Sequence, residues 1–367
     1  MTVDGRVDEL TCEVYDVPTD RLESDGTLSW SSTTMVLVRV RSSGSEGLGW
    51  TYAGAGVKSV VDGILSGVVL GSEALGVPNA NEAMRRACRN LGRPGVASEA
   101  ISAVDIALWD LKAKLLDLSL SDLFGRAVDE VPVYGSGGFT NYSEAVTERQ
   151  VEGWVGEQNI PRVKIKIGES WGQEIQRDLD RVDLVRRVAG DAVELFVDAN
   201  GAYQSKQAIR VAGQLSERGV TWFEEPVSSD DLAGLRAVRH GCDIDVAAGE
   251  YGYSPDYFAT MISAQAVDCL QADATRCGGY TAWLKAAHVA EAHHLQISAH
   301  CAPNLHARVA SAAVNLRHVE YFHDHAHLEE LLFEGTLSPK GGSMTPDGSP
   351  GHGLELRAAD AARYRTA

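Results

Sequence analysis

The chain has 367 residues, 44% of them hydrophobic, and a formal net charge of -18 at neutral pH. This length exceeds what one hydrophobic core usually fills, so we expect about two domains. The acidic balance argues against nucleic acid or an anionic membrane surface as a partner. An anionic substrate must therefore find positive charge locally, from lysine, arginine or a metal ion.

The six cysteines are scattered along the chain without a C-x-x-C pair. This spacing favours reduced thiols over a zinc cluster or a disulfide framework. No apolar run approaches the roughly 18 residues of a membrane span, and the first residues lack the profile of a secretory signal. We therefore expect a cytoplasmic protein that acts on a small molecule.

The first segment, residues 1–128, is expected to form an α+β domain. Strand composition occurs from about Glu9 to Tyr15 and from Thr34 to Val40. Between these strands, about residues 16–33 are polar and predict a long loop, which in a compact domain is often functional. We interpret this loop as a substrate lid, whose candidate contact residues are Arg21, Ser24, Asp25 and Trp30.

A long helix is predicted over residues 97–117. Its apolar side chains recur at steps of three and four residues, as a helix that buries one face requires. Ser98 is a plausible N-cap for this helix.

From residue 129 onward, strands and helices alternate. The eight candidate strands are V-P-V-Y-G-S, R-V-K-I-K-I-G, V-E-L-F-V-D, V-T-W-F-E-E, I-D-V-A-A-G-E, V-D-C-L-Q-A-D, L-Q-I-S-A-H and H-V-E-Y-F. Eight strands with helical crossovers predict a (β/α)8 barrel over residues 129–328. An open doubly wound sheet is the alternative, but Y-G-S-G-G-F only weakly resembles its Gly-rich phosphate turn.

Three apolar runs end in a carboxylate at equal intervals of 26 residues, at Asp198, Glu224 and Glu250. This interval suits one strand, one helix and their loops, so parallel strands would bring the three carboxylates to one rim. Converging carboxylates repel one another unless a cation neutralises them, and oxygen donors with room for water suit Mg²⁺. The sequence therefore predicts one magnesium ion at the C-terminal mouth of the barrel.

The second strand carries Lys164 and Lys166 with one residue between them, so both side chains point to the same face. Inside a barrel, mutual repulsion is expected to lower the proton affinity of both ammonium groups. A lysine with lowered proton affinity can act as a base. The alternative is an edge strand with both lysines solvated, which the neighbouring carboxylates disfavour.

The sixth and seventh strands end at Asp273 and His300, and the eighth contains Glu320. A carboxylate beside an imidazole fixes its tautomer and raises its basicity, which suits proton transfer at neutral pH. We predict that His300 and Asp273 form a proton-transfer dyad on the far side of the cavity from Lys166. Glu320 is a further candidate acid or substrate partner.

The run F-H-D-H-A-H follows the eighth strand and contains His323, His325 and His327. Alternate histidines can bind zinc, but the three acidic strand ends offer the better site for a hard ion. We therefore interpret His323 and His325 as surface or substrate-contact residues.

The ordered set A-L-W-D-L-K, K-I-K, D-A-N, E-E-P, G-E, Q-A-D and S-A-H resembles the enolase superfamily, and within it the mandelate racemase subgroup. The resemblance implies an α+β capping domain, a modified (β/α)8 barrel and a C-terminal segment, residues 329–367, that returns to the cap. It also implies a multimer. The muconate-lactonizing type would carry a lysine at the end of the sixth strand, where this chain has Asp273.

The resemblance further implies site roles. Asp198, Glu224 and Glu250 would bind Mg²⁺, Lys166 would be one acid/base catalyst, and His300 with Asp273 would be the other. Lys164 would hold the substrate carboxylate, and Glu320 would match the acid of the eighth strand. Asn200 of D-A-N and Glu225, the second glutamate of E-E-P, would lie beside the metal ligands.

These features predict an enzyme that removes the proton next to a carboxylate. The polar lid favours the Mg²⁺-dependent dehydration of an acid sugar, an aldonate or aldarate, to a 2-keto-3-deoxy acid. The alternatives are racemisation or epimerisation of a 2-hydroxy acid at the same site, and a non-catalytic protein built on an enzyme barrel.

Overall fold

The computed structural model describes residues 5–367, and the first four residues of the predicted capping domain lie outside the described residues. The N-terminal part is an antiparallel sheet whose strands are β1 (Glu9–Ser24), β2 (Ser29–Ser42) and β3 (Ser45–Tyr52). The prediction of a long loop over residues 16–33 was wrong, because the register of β1 and β2 continues through Val17 and Pro18 and resumes at Glu23. The segment is a β-hairpin with a short turn, and polar residues on its exposed face had hidden the strands.

Eight parallel strands form a closed barrel, since the last strand pairs with the first through Glu320 opposite Tyr134. The predicted barrel is confirmed, and the alternative of an open sheet is wrong. The barrel strands are β4 (Val131–Gly137), β5 (Arg162–Lys166), β6 (Glu194–Asp198), β7 (Val220–Glu224), β8 (Asp245–Ala248), β9 (Cys269–Ala272), β10 (Gln296–Ala299) and β11 (Leu316–Phe322). Three two-residue strands follow, namely β12 (Phe333–Glu334), β13 (Ser343–Met344) and β14 (Glu355–Leu356).

Helices cover the outside of the barrel and one face of the N-terminal sheet. Those of the N-terminal part are α1 (Gly56–Val60), α2 (Ser66–Val69), α3 (Val77–Ala87), α4 (Val96–Leu115) and α5 (Leu120–Phe124). Those of the barrel are α6 (Glu144–Glu152), α7 (Glu169–Gly172), α8 (Ile175–Ala189), α9 (Ser205–Ser216), α10 (Leu232–Gly241), α11 (Pro255–Ser263), α12 (Gly279–Ala292), α13 (Pro303–Ala310) and α14 (His323–Leu332). α15 (Ala358–Ala361) lies near the C-terminus, and short π-helices at Val61–Leu65 and Gly153–Glu157 and a 3-10 turn at Ala362–Tyr364 complete the set.

Helix α4 matches the predicted long helix and joins the cap to the barrel. It packs closely on β3, where a Cβ atom at Gly49 would collide with the carbonyl oxygen of Ala103. The predicted cap at Ser98 was wrong, because the N-cap position is Gly95. Instead, the Ser98 hydroxyl donates to the carbonyl of Tyr253 at 2.8 Å, a contact between cap and barrel.

Large side chains fill the interior of the barrel below its C-terminal mouth. Tyr134, Phe196 and Trp222 form one buried cluster, and their rings surround that of His318. This packed layer closes the barrel from below, as in other barrels of this architecture. Polar side chains at the strand ends therefore face a cavity that opens toward the cap.

The C-terminal segment runs back along the cap. The Nε2 atom of His352 lies 2.9 Å from the carbonyl oxygen of Leu48, and the backbone N–H of Val14 donates to the carbonyl of Ala367 at 2.8 Å. The predicted boundaries at residues 128 and 328 stay predictions. Within residues 5–367, none of the helices is both long and apolar enough to cross a membrane.

Candidate active site

Three carboxylates converge at the C-terminal mouth of the barrel. Asp198 ends β6 and Glu224 ends β7, directly opposite each other in the parallel register, and Glu250 follows β8. One oxygen of each carboxylate lies within 4.8 Å of the others, and all three residues are buried. The equal spacing in the sequence thus corresponds to one βα unit per carboxylate.

This carboxylate triad, Asp198, Glu224 and Glu250, fits a divalent cation. Buried carboxylates are costly without a compensating charge, and burial raises the pKa of Glu224 to about 7. The buried Oε2 atom of Glu250 has no hydrogen-bond partner. Hard oxygen donors of this kind suit Mg²⁺ better than a soft metal.

Both lysines of β5 reach the triad from inside the barrel. Lys164 Nζ lies 2.6 Å from Glu224 Oε1 and 2.7 Å from Glu320 Oε1. Lys166 Nζ donates to Asp198 Oδ2. Both are buried, so the alternative of a solvated edge strand is excluded.

The predicted lowering of lysine proton affinity by mutual repulsion was wrong for this arrangement. Burial and the repulsion from Lys164 lower the pKa of Lys166, but the combined negative charge of Asp198, Glu250 and Glu320 outweighs both, so the pKa is raised. Burial likewise lowers the pKa of Lys164, but the combined negative charge of Glu224, Glu320 and Asp198 raises it well above its usual value. Carboxylates outnumber ammonium groups here, which the lysine spacing could not show.

His300 and Asp273 form the predicted dyad. The Nδ1 atom of His300 lies 2.8 Å from Asp273 Oδ2, while Asp273 Oδ1 accepts bonds of 2.7 Å from the N–H and hydroxyl of Thr275. Burial would raise the pKa of Asp273, but the hydrogen bond from His300 and the neighbouring positive groups, with Arg276 among them, together outweigh burial and lower the pKa. The Nε2 atom of His300 points back toward the triad, 3.4 Å from Glu250 Oε2.

Both carboxylate oxygens of Glu320 accept hydrogen bonds from neighbouring residues. Its Oε1 atom accepts from the Ser136 hydroxyl at 2.6 Å, and its Oε2 atom accepts from the N–H of Cys301 at 3.0 Å. Burial would raise the pKa of Glu320, but the positive charges of Lys164, His300 and Lys166 together outweigh burial and hold the pKa well below its usual value. These contacts favour a positioning role for Glu320 over the predicted role as an acid.

A cavity of about 550 Å³ lies between the triad and the hairpin of the cap. Lys166 and His300 both line it, and the wall on the cap side includes Trp30 and Thr33 of β2. The predicted site residues in its lining are Asp25, Trp30, Lys166, Asn200, Glu250, His300 and His325. The hairpin thus forms one wall of the cavity, while its predicted movement as a lid stays a prediction.

Three predicted substrate contacts lie elsewhere. Arg21 and His323 line a neighbouring cavity of about 380 Å³, where His323 Nε2 lies 3.4 Å from Asp20 Oδ2. The Ser24 hydroxyl pairs with that of Ser29 at 2.7 Å. Alternation along β1 and the start of helix α14 turn these side chains away, which the loop interpretation had missed.

His325 points toward the substrate cavity, unlike His323. Its ring stacks on Tyr52 at 3.6 Å between centroids, and its Nδ1 atom accepts from the N–H of Ala302 at 3.2 Å. Because His323 and His325 line different cavities, the histidine run does not converge on one metal ion.

Sequence reasoning did not assign a role to Arg276. Its Nη1 atom lies 3.2 Å from Glu250 Oε1, and its Nε atom lies 3.6 Å from Asp273 Oδ2, so it links a triad carboxylate to the dyad. Its position three residues after Asp273 was a signal, since loops after barrel strands carry site residues. Its direction depends on the β9–α12 turn, which the sequence does not specify.

Some of the strained backbone of the chain lies at the same mouth. Asn200, Glu225, Cys301 and Ala302 adopt left-handed φ values of 45°, 36°, 51° and 38°. Such conformations are unfavourable for non-glycine residues and cluster at functional sites. Glu225 lies beside the triad, and burial together with repulsion from Glu250 raises its pKa well above the usual value.

Residues 146–361 match a family model described as Enolase C-terminal domain-like. Residues 22–125 match the model of the Mandelate racemase / muconate lactonizing enzyme, N-terminal domain. The chain therefore belongs to the mandelate racemase/muconate lactonizing enzyme family, and the sequence-based resemblance is confirmed.

Two curated relatives are each 30% identical to this chain. One is a 3,6-anhydro-alpha-L-galactonate cycloisomerase of Streptomyces coelicolor, aligned over 95% of this chain and 97% of that protein. The other is an L-talarate/galactarate dehydratase of Salmonella typhimurium, aligned over 92% of this chain and 83% of that protein.

Solved structures extend the comparison. The chain superposes with a TM-score of 0.95 on a mandelate racemase/muconate lactonizing enzyme-like protein from Rubrobacter xylanophilus, at 48% identity, covering 98% of this chain and 100% of that one. It superposes with a TM-score of 0.91 on L-talarate/galactarate dehydratase from Salmonella typhimurium, at 26% identity, covering 100% of this chain and 94% of that one. That dehydratase was crystallised with magnesium and L-lyxarohydroxamate, in line with the magnesium expected for this family.

Proposed function

We propose that this protein is a Mg²⁺-dependent lyase that dehydrates an acid sugar to a 2-keto-3-deoxy acid. The observation that carries the proposal is the placement of Lys166 and His300. Both line one cavity, and they contact different members of the carboxylate triad, Asp198 and Glu250 respectively. A substrate carbon next to a carboxylate bound at the triad would lie between two proton carriers.

Asp198, Glu224 and Glu250 would hold the Mg²⁺ ion. When bound there, the ion supplies positive charge that makes the carbon next to the substrate carboxylate acidic. Lys164 and Lys166 add two ammonium groups beneath the same carboxylate, in a site that is already organised before the substrate arrives.

Proton transfer falls to the chain's own residues. Since Asp273 accepts from Nδ1 of His300, the Nε2 atom is the one that exchanges a proton with the substrate. One of Lys166 and His300 takes the α-proton, and a protonated group on the cavity wall gives a proton to the departing β-hydroxyl, which leaves as water. The remaining enol becomes the 2-keto acid by proton transfer to carbon.

Dehydration is favoured by hydroxyl groups in the cavity wall and by the relatives. Hydroxyl-bearing Ser32, Thr33 and Thr34 line the wall on the cap side. These side chains can hydrogen-bond to sugar hydroxyls. The Salmonella typhimurium relative is a dehydratase of acid sugars, which supports the same substrate class for this chain.

A racemase or epimerase is the second candidate, because two opposed proton carriers can also exchange one proton for another across a carbon. In that reaction the substrate keeps its hydroxyl and changes configuration at the α-carbon. The two reactions differ in whether water is lost.

The experiment is a screen of aldonates and aldarates with the protein and Mg²⁺, in deuterated solvent. Formation of a 2-keto acid from at least one substrate supports the lyase. Deuterium at the α-carbon without loss of water supports the racemase or epimerase. Mg²⁺ binding without product or α-proton exchange on any acid would reject both and favour a non-catalytic protein.

A further inference from the structure

We propose that the cavity takes a monocarboxylate, an aldonate whose far end carries hydroxyl groups, and discriminates against aldarates, which carry a second carboxylate. The inference rests on the proposed function and specifies its substrate class. It follows from the distribution of charge along the cavity wall.

Positive charge lies at the metal end of the cavity. Within the described residues, the lysine and arginine side chains that line this cavity are Lys166 and Arg276. Lys166 is paired with Asp198, and Arg276 is held by Glu250 and Asp273. Both cations are therefore placed where the first carboxylate of the substrate would bind, beside the triad.

The lining histidines do not supply a cation at the other end. His300 belongs to the metal end, where it contacts Glu250 and Asp273. His325 is buried, and burial lowers its pKa to about 3, so its ring is neutral at physiological pH. A neutral imidazole cannot compensate the charge of a second carboxylate.

Negative charge lies at the hairpin end. Asp324 lines the cavity, and its Oδ2 atom accepts from the hydroxyl of Thr33 at 2.5 Å. Glu23 is buried in the adjoining β1 strand, where its Oε2 atom accepts from Trp30 Nε1 at 2.9 Å. Burial, together with repulsion from Asp324, raises the pKa of Glu23 to about 8, so Asp324 is the acid of this pair that carries the negative charge at pH 7.5.

This wall matches a hydroxyl and opposes a carboxylate. Burial raises the pKa of Asp324 to about 6, so it is ionised at pH 7.5 and accepts hydrogen bonds. A sugar hydroxyl can donate to it, whereas a second substrate carboxylate would meet a like charge at an end of the cavity where, within residues 5–367, no lysine or arginine lines the wall. Specificity of this kind comes from repulsion of the wrong substrate as well as attraction of the right one.

The test uses aldonates paired with the aldarates of the same configuration: D-gluconate with D-glucarate and D-galactonate with galactarate, each with Mg²⁺ at pH 7.5. We expect the best aldonate to exceed its paired aldarate by at least about 100-fold in kcat/KM. Asp324→Asn keeps an acceptor for the Thr33 hydroxyl and should lower the ratio of kcat/KM for the aldonate to kcat/KM for the aldarate at least ~10-fold. Thr33→Lys, which adds a cation to the same wall, should shift preference further toward the aldarate.

Asp129→Asn is the matched control, because it removes one negative charge from a side chain that is 86% exposed and does not line the cavity. It should leave the ratio unchanged. Equal or better turnover of the aldarate by the unmodified protein would overturn the inference, as would an Asp324→Asn ratio equal to that of the control.

Calorimetric binding to the Lys166→Ala/His300→Asn double variant with Mg²⁺ separates this inference from the proposed function. Absence of any keto-acid product with the unmodified protein would reject the lyase, while binding still decides the charge preference. Tighter binding of the aldonate supports the inference. Equal or tighter binding of the aldarate, or no binding of any aldonate, overturns it.

Discussion

The Nδ1 atom of His300 lies 2.8 Å from the Oδ2 atom of Asp273. Because an ionised carboxylate accepts but cannot donate, the imidazole carries its proton on Nδ1 and presents Nε2 to the cavity. The other oxygen of Asp273 is held by two bonds from Thr275, which fixes the direction of the whole dyad. The substrate therefore meets a histidine with a defined tautomer and orientation.

Replacing His300 by Asn should stop dehydration, or exchange from both faces, because asparagine cannot carry a proton to or from the substrate. Exchange of the α-proton by Lys166 is expected to persist on one face if Lys166 removes it. Proton NMR in deuterated solvent measures both events in one sample. Dehydration at the unmodified rate would contradict the role of His300.

Replacing Lys166 by Ala should lower the rate of exchange of the proton that faces β5 by about 100-fold or more, the usual contribution of one acid/base group. Mg²⁺ binding should persist, because the ammonium group that pairs with Asp198 is removed while the carboxylate itself remains to bind the metal ion. The control is Lys206→Ala, an exposed lysine on helix α9. Unmodified exchange in Lys166→Ala would refute the assignment.

Two neighbouring glutamates should differ in their effect on the metal. Glu224 belongs to the converging triad, whereas Glu225 follows it in a strained conformation and has one buried oxygen without a partner. Calorimetry should show Mg²⁺ affinity falling at least ~10-fold in Glu224→Gln and changing much less in Glu225→Gln. A larger loss of Mg²⁺ affinity in Glu225→Gln than in Glu224→Gln would identify Glu225, and not Glu224, as the metal ligand.

The protein should lose stability as pH falls from about 6.5, in part through His352. Burial lowers the pKa of this residue to about 4, so the unfolded chain binds the proton first and stability falls between the two values. Relative to His352→Gln, we expect the unmodified protein to lose about 2 kcal/mol of unfolding free energy between pH 7.5 and pH 5.

Urea unfolding at the two pH values measures this difference. His288→Gln, at an exposed position on helix α12, is the control and should follow the unmodified protein. An equal pH dependence in the unmodified protein and His352→Gln would exclude a contribution from His352.

The barrel and its catalytic mouth were predictable from the sequence because each strand ends in a recognisable residue. In a parallel barrel, the strands that end in Lys166, Asp198 and Glu224 must finish at the same rim. Alternation and spacing therefore suffice to place these three side chains. The registers Lys166 opposite Asp198 and Asp198 opposite Glu224 follow this rule. Helix α4 was placed by a different pattern, in which apolar side chains recur at steps of three and four residues.

Features that depend on several distant groups were not predictable. The polar hairpin appeared to be a loop because its strand pairing, which resumes at Glu23 opposite Trp30, is not visible in composition. The raised pKa of Lys166 depends on a carboxylate from another strand, Asp198. The contact of Arg276 with Glu250 depends on the exact path of a loop, and Asp324 meets Thr33 across two domains.

The most direct test measures removal of the substrate α-proton. With an aldonate that the unmodified protein converts, α-proton removal should be measured by NMR in deuterated solvent, with Mg²⁺ and after chelation, in the unmodified protein and in Lys166→Ala/His300→Asn. We predict removal by the unmodified protein with Mg²⁺, and none after chelation or in the double variant. Removal that survives chelation, or that continues in the double variant, would contradict the claim that a metal-bound carboxylate is deprotonated between these two residues.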